Sequence, residues 1–244
     1  MSIRPWHVVL FVVALLAFAI ARAPAAVFAP KRDGGFTYAA VEGTIWRAHF
    51  TQARAGPFDL GALSWRLSFV DLLQGRFRAD VSMTGGRLVG DVRLLANADG
   101  DRRLITGGLQ LDGVALGGLT FAGGAQVAAT DILFVRGDCV RADGSARSDM
   151  LALNEAVLRW RGPPLAGQPL CAGDKADWTL QPADGSGGPT RIALLLGADG
   201  RGGWRAQLPT DRPEAALALA QAGVAHTVQA GAMTAEGELR WFPF

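Results

Sequence analysis

The sequence has little of what metal sites and common catalytic sites require. It contains only two cysteines and three histidines, and neither set has the spacing of zinc ligands. It has no Gly-x-Ser-x-Gly elbow, no His-Glu-x-x-His helix and no P-loop, so it offers no recognisable nucleophile or phosphate-binding loop. We therefore expect no metal, no cofactor and no catalytic residues; an enzyme without a recognisable nucleophile is the alternative.

Charge of one sign is also missing. The 24 basic and 22 acidic residues nearly cancel and form no block of like charge, so a nucleic-acid partner is not expected. Half of the residues are apolar, and a chain of this length buries about 70% of the surface of its unfolded state. A single domain with a core of its own is therefore the simplest expectation.

The one long apolar run lies at the amino terminus, from Val8 to Ala21. Counted from Ile3, with its polar residues at the ends, it is long enough for a transmembrane helix. A cleaved signal peptide is the alternative, because Ala23 and Ala25 resemble a cleavage site. Either interpretation places the rest of the chain outside the cytoplasm, and we favour an uncleaved anchor.

This interpretation divides the chain into three parts. Residues 1–22 are expected to form a cytoplasmic tip and the transmembrane anchor. Residues 23–35 contain several prolines and glycines and are expected to form a linker. Residues 36–244 are then the exported, β-rich domain.

The two cysteines agree with export. In an oxidising compartment, Cys139 and Cys171 are most simply one disulfide. Such a bond would stabilise the fold by roughly 3 to 4 kcal/mol on the chain-entropy model. Two free, buried thiols are the alternative.

Alternating apolar and polar residues predict strands, most clearly between residues 41 and 69. Residues 63–69 place every second, apolar side chain on one side, which is the period of a half-buried strand. Residues 41–46 are interpreted as its partner, with a glycine that lets the backbone turn or pass close to a neighbour. We interpret the two tryptophans of these strands as core aromatics. The residues of this structural motif are Gly43, Thr44, Trp46 and Trp65.

The rest of the domain continues the alternation. Residues 77–83 and 88–94 alternate on either side of Gly85-Gly86, which predicts a β-hairpin. Further strands are expected up to the last one, at residues 233–241. One of them is expected within residues 151–160.

The period changes only once. Residues 211–214 have the spacing of a capping box, so one short helix is expected from Pro213 to Ala222. The whole pattern predicts an all-β fold in which a single amino-terminal transmembrane helix precedes an elongated, curved, mostly antiparallel β-sheet. This sheet would be similar to a half-barrel or an open barrel, with one short carboxy-terminal helix.

Several segments of the sequence resemble those of a known family. An amino-terminal anchor is followed by Val-Glu-Gly-Thr-Ile-Trp at 41–46, by Leu-Ser-Trp-Arg-Leu at 63–67 and by Leu-Leu-Gln-Gly-Arg at 72–76. This arrangement resembles the type II secretion system protein N family. The later residues that share the resemblance are Cys139, Ala142, Gly144 and Cys171.

The resemblance implies a function without catalysis. It implies a single-pass component of the bacterial inner membrane with most of its chain in the periplasm. Such a component takes part in the export of folded periplasmic proteins across the outer membrane. Its implied partners are the inner membrane and other secretion-system subunits, which an exposed edge or face of the sheet would contact.

Two other functions remain open. A periplasmic lipid-handling protein, similar to assembly factors, would present an apolar groove of an incompletely closed sheet to lipid. An outer-membrane β-barrel would also show alternating strands and a terminal Phe244. Its aromatic girdles are missing from the pattern, however, because Tyr38 is the only tyrosine and the tryptophans do not recur at strand ends.

Overall fold

A computed structural model describes most of the chain. The described residues are 6, 12, 14, 15, 18–28, 36–55, 58–116, 119–158, 160–186, 188, 190–209, 226–229 and 232–240. Within these ranges no helix has the length and apolar character needed to span a membrane. The expected anchor within residues 1–22 falls largely outside the described residues, and so does the expected helix from Pro213 to Ala222.

The described part of residues 36–244 consists almost entirely of strands. These are β1 (Phe36–Thr37), β2 (Ala40–Thr44), β3 (Arg47–Ala55), β4 (Phe58–Leu67), β5 (Arg76–Gly85), β6 (Leu88–Asn97), β7 (Arg102–Leu116), β8 (Leu119–Val135), β9 (Asp138–Ser148), β10 (Leu165–Gly167), β11 (Pro169–Ala172), β12 (Lys175–Pro182), β13 (Arg191–Gly197), β14 (Arg201–Pro209), β15 (His226–Gln229) and β16 (Ala232–Arg240). The short helices are α1 (Ala25–Phe28), α2 (Phe69–Leu73), α3 (Met150–Leu153) and α4 (Glu155–Leu158).

All of these strands belong to one antiparallel sheet. Its order runs β1-β3-β4-β5-β6-β7-β8-β9-β10-β12-β13-β14-β16-β15, with β2 also paired to β3 and β11 also paired to β12. Most neighbours in space are neighbours in sequence, so short turns are enough to connect them. The first and last strands of this order do not pair with each other, and the described sheet is therefore open. The prediction of an all-β, mostly antiparallel open sheet is confirmed.

Cross-strand pairing sorts the side chains into two faces. Trp65 of β4 lies opposite Val81 of β5, and Val81 lies opposite Val92 of β6, so these three side chains share an apolar face. The positions between them form a polar face that carries arginine and aspartate side chains. This alternation is the one that the sequence predicts.

The first core cluster lies on the apolar face around Phe50 of β3, which is fully buried. The rings of Phe36, Tyr38 and Trp65 lie 5.2 to 5.9 Å from the Phe50 ring, centroid to centroid, and meet it edge to face. This geometry is the one that aromatic quadrupoles favour. These aromatic rings therefore pack β1, β3 and β4 together.

A second cluster shows that the sheet curls over its apolar face. It combines side chains of β8, β12 and β13, among them Ile132, Phe134, Trp178 and Leu196. Strands β9 and β10 separate β8 from β12 in the strand order, so these side chains can meet only if the sheet bends. In addition, Arg102 of β7 donates a hydrogen bond of 2.6 Å to the carbonyl of Ala198, beyond β13.

A disulfide joins Cys139 of β9 to Cys171 of β11, with 5.3 Å between their Cα atoms. The backbone N–H of Cys139 also donates to the carbonyl of Gly173, at 3.0 Å. Strand β10 connects β9 with β12 by backbone pairing at the other end of these strands. The disulfide therefore connects β9 with the β11–β12 pair at the end of these strands that β10 does not reach.

The prediction of a strand within residues 151–160 is wrong. This segment forms α3 and α4 instead. Asn154 is buried between them, and its side chain exchanges hydrogen bonds with the backbone N–H and carbonyl of Ala122 in β8. Leu158 is buried against Phe121 in the same place, so tertiary contacts at the end of β8 override the local strand pattern.

Candidate functional site

The turn between β2 and β3 is built from the glycine-threonine-tryptophan motif. Thr44 pairs with Arg47, which leaves Ile45 and Trp46 as the two central residues. Gly43 has φ of +95°, and a Cβ atom there would collide with the carbonyl oxygen of Arg47. Only glycine combines this backbone conformation with so close an approach.

This turn holds the segment that follows the amino-terminal apolar run. The N–H of Ile45 donates to the carbonyl of Ala23 at 3.0 Å. The indole N–H of Trp46 donates to the carbonyl of Ile20 at 3.1 Å, and its ring meets Phe69 of α2 edge to face at 5.0 Å. One turn therefore connects the end of the apolar run, the sheet and α2.

The two tryptophans of the motif differ in their surroundings. Trp65 packs in the core beside Phe50, as expected, and its buried indole N–H has no partner among the described residues. Trp46 is not a core aromatic, because it stands half-buried at a turn and bridges surface segments. The sequence pattern shows that both side chains are apolar, but it does not show where a strand ends.

A groove of about 930 Å³ crosses the polar face from β2 to β7. Its charged lining comprises Arg47, Arg66, Arg78, Arg93, Glu42, Asp80 and Asp91. Apolar side chains such as Val81, Val92 and Ile105 also line the groove. The seven charged side chains suit a charged partner better than an acyl chain.

Two arginines face each other at one end of this groove. Arg47 of β3 lies directly opposite Arg66 of β4. The N–H of Leu67 donates to the carbonyl of Trp46 at 2.9 Å, which makes Arg47 and Arg66 a non-hydrogen-bonded pair, the kind whose side chains come closest. Among the described residues, neither guanidinium has a carboxylate within ion-pair distance.

The nearest carboxylate by register is already engaged. Asp80 lies opposite Arg66 on β5, but its oxygens bind the side chains of Arg93 and Arg78. Partial burial acts to raise the pKa of Asp80, but the bonds from Arg93 and Arg78 outweigh it and hold that pKa below its usual value. Asp80 therefore forms its ion pairs with Arg93 and Arg78 rather than with Arg47 or Arg66.

A second ion-pair network continues along the polar face. Arg103 of β7 binds both oxygens of Asp131 of β8, at 2.7 and 2.6 Å, and Arg141 of β9 binds Asp131 at 3.2 Å. The hydrogen bonds from Arg103, with support from Arg141, lower the pKa of Asp131. A carboxylate held ionised in this way suits cross-strand attachment rather than proton transfer.

The described residues contain no group of three or more metal-ligating side chains. The opposed arginines escaped the sequence analysis because their meeting depends on register. Arg66 stands on the polar side of its strand and Arg47 follows the motif directly, so a hairpin alignment would have brought them together.

A comparison with known protein families gives one match. The family model of the type II secretion system protein N matches residues 34–239. The chain belongs to the type II secretion system protein N family. The predicted resemblance is confirmed, and membership gives this protein N homologue a role in type II secretion. No curated protein and no solved structure matched the chain.

The family match covers the features described above. The motif turn, the groove with its opposed arginines and the disulfide of this protein N homologue all lie within residues 34–239. The apolar run lies before the matched range. Membership in the family implies contacts with other secretion-system components.

Proposed function

We propose that the protein is a non-enzymatic component of the type II secretion system that works by protein contacts. Residues 1–22 anchor it in the inner membrane, and the sheet stands in the periplasm. The groove on the polar face docks an acidic segment of another secretion-system subunit. The opposed pair of Arg47 and Arg66 is the observation that carries this proposal.

The pair of Arg47 and Arg66 lowers the stability of the sheet. Like charges directly opposite each other on neighbouring strands destabilise a sheet. A sheet that only needed stability would place an acidic or neutral residue at one of the two positions, as it does where Asp80 meets Arg93. Two guanidinium groups side by side, in contrast, can bind one or two carboxylates through short, charge-assisted hydrogen bonds.

The shape of the site supports an extended acidic segment. The groove runs across strands from β2 to β7. Strand β2 lies at the edge of the described sheet, where it pairs with β3 on one side and only its last residue, Thr44, forms a bridge, with Pro24, on the other. A segment that enters at this edge passes Glu42 of β2 and then reaches Arg47 of β3 and Arg66 of β4. Its backbone can add to the edge strand while its carboxylates reach the arginines.

The test uses charge reversal in cells that lack the native protein. Arg47→Glu and Arg66→Glu should each reduce the recovery of a type II substrate outside the cell. A photoreactive residue at Ser64, inside the groove, should lose its crosslink to a secretion-system subunit in the same variants. Arg191→Glu is the matched control, because Arg191 is an exposed arginine of the distant strand β13.

Two results would overturn the docking proposal. One is undiminished secretion with both charge reversals present at normal protein levels. The other is a loss of secretion that the Arg191→Glu control shares, since a general effect of charge would then explain it.

The anchor is tested separately. The full-length protein should fractionate with inner membranes and resist extraction at alkaline pH. Its mass should include residues 1–22. A mature protein that lacks these residues, or one recovered with soluble periplasmic proteins, would refute the anchor without affecting the docking site.

A further inference from the structure

Helix α2 exposes about half or more of each of its four large apolar side chains. Its amino terminus is capped by Ser68, whose hydroxyl accepts from the N–H of Asp71 at 3.2 Å, yet the helix has no buried residue. The exposed fractions are 48% for Phe69, 63% for Val70, 52% for Leu72 and 72% for Leu73. Four large apolar side chains side by side in water are unfavourable, and a contiguous exposed apolar patch of this kind marks a contact with a partner or with a membrane.

The position of α2 indicates what covers these side chains. Phe69 contacts the ring of Trp46, and Trp46 donates to the carbonyl of Ile20, at the end of the apolar run. Phe18 and Ile20 of that run are themselves exposed. The apolar surface of α2 is therefore continuous with the end of the segment proposed to cross the membrane.

Polar groups around this surface match a membrane interface. Arg22 lies over the ring of Phe18 at 5.7 Å, and Arg76 follows α2 and pairs with Asp71 at 3.7 Å. Tryptophan side chains favour the boundary between lipid and water, where the ring is apolar and the N–H finds a partner. Basic residues beside them can reach phosphate groups of lipids.

We infer that α2 lies in the interfacial region of the phospholipid bilayer that holds the anchor, with Val70 and Leu73 among its lipid-facing side chains. This inference rests on the proposed anchor. It fixes how the sheet stands on the membrane: the strand ends near α2 face the lipid, and the ends near α3 point away. The opposed arginines then lie close to the membrane.

The experiment measures the depth of single fluorescent labels in the full-length protein, reconstituted in vesicles of phosphatidylethanolamine and phosphatidylglycerol. Leu73→Cys carries an NBD label on α2. Leu153→Cys is the matched control, since Leu153 ends the equally short α3 and is 58% exposed. It lies at the opposite strand ends, roughly 30 Å away over about ten residues of strand. The native cysteines are bonded to each other, so only the introduced thiol reacts.

A third label, at Val12→Cys within the apolar run, reports on the anchor itself. Lipids with a nitroxide near the headgroup should quench most of the fluorescence at Leu73→Cys and little at Leu153→Cys. Nitroxides deeper in the acyl chains should quench Val12→Cys most strongly.

Each outcome separates the two proposals. Quenching at Val12→Cys without quenching at Leu73→Cys overturns the placement of α2 and leaves the anchor intact. Quenching at Leu73→Cys alone supports the placement of α2 and refutes the anchor. Equal quenching at Leu73→Cys and Leu153→Cys overturns the inference, because lipid contact would then not be specific to α2.

Discussion

The replacement Arg47→Glu should make the protein more stable and less active at the same time. In the native sheet Arg47 and Arg66 oppose each other as like charges. The variant turns this pair into an opposite-charge pair in the same register. Since each arrangement is worth roughly 0.2 to 1 kcal/mol with opposite sign, the free energy of unfolding should rise by about 0.5 to 1 kcal/mol at an exposed site.

Salt provides a second check on the electrostatic origin of this gain. At 0.15 M salt the screening length is about 8 Å, which exceeds the distance between the paired side chains. At 1 M salt it is about 3 Å, which is no longer than that distance. The gain should therefore shrink at high salt. Arg191→Glu should show no comparable gain, because its cross-strand neighbour on β14 is the uncharged Gln207.

The measurements are urea unfolding of the detergent-solubilised protein, followed by tryptophan fluorescence, and substrate secretion in cells. Greater stability together with reduced secretion would separate the role of Arg47 in binding from any role in folding. If Arg47→Glu lowered stability instead, the guanidinium would be packing against the sheet rather than repelling its neighbour. The opposed arginines would then not form a docking site.

Three further predictions concern the fold. Gly43→Ala should cost about 2 to 3 kcal/mol, because it adds a backbone collision to an unfavourable φ, whereas Gly75→Ala, with open space around its Cβ, should cost about 1 kcal/mol; equal losses in urea unfolding would contradict this. Replacing Cys139 and Cys171 by serine should lower the free energy of unfolding by about 3.7 kcal/mol for a loop of 32 residues, and unchanged stability on reduction would contradict the bond. Asp131→Asn should destabilise by about 1 kcal/mol at pH 7. Because the pKa of Asp131 is lowered in the folded protein, this stabilisation is complete above about pH 4 and is lost as pH falls through the lower, folded value; an equal loss at pH 7 and pH 2 would contradict the role of its charge.

Much of the sheet could be predicted because strand signals are local. The alternation in residues 63–69 predicts which side chains of β4 face the core. The hairpin at Gly85-Gly86 is formed by β5 and β6 as expected. The family was indicated by the motif around Gly43 together with the segments at 63–67 and 72–76 and the two cysteines.

The errors have two physical causes, one local and one tertiary. Phe69 continues the alternation of β4 in sequence, but it begins α2, because Ser68 caps a helix at that position. Residues 150–158 form helices because Asn154 satisfies the backbone of a strand more than thirty residues away. Neither contact can be recognised from the alternation of apolar and polar residues.

The sequence by itself determined the class of the fold, the two faces of its strands and the family, because these depend on residue type and near-neighbour spacing. Only the tertiary structure decided that Arg47 meets Arg66, that Trp46 ties α2 to the end of the apolar run, and that the sheet curls until β8 reaches β13. These features depend on register, on bulges and on the accumulated twist of many strands, each of which sums small contributions over the whole sheet. These features therefore cannot be predicted from a short stretch of sequence.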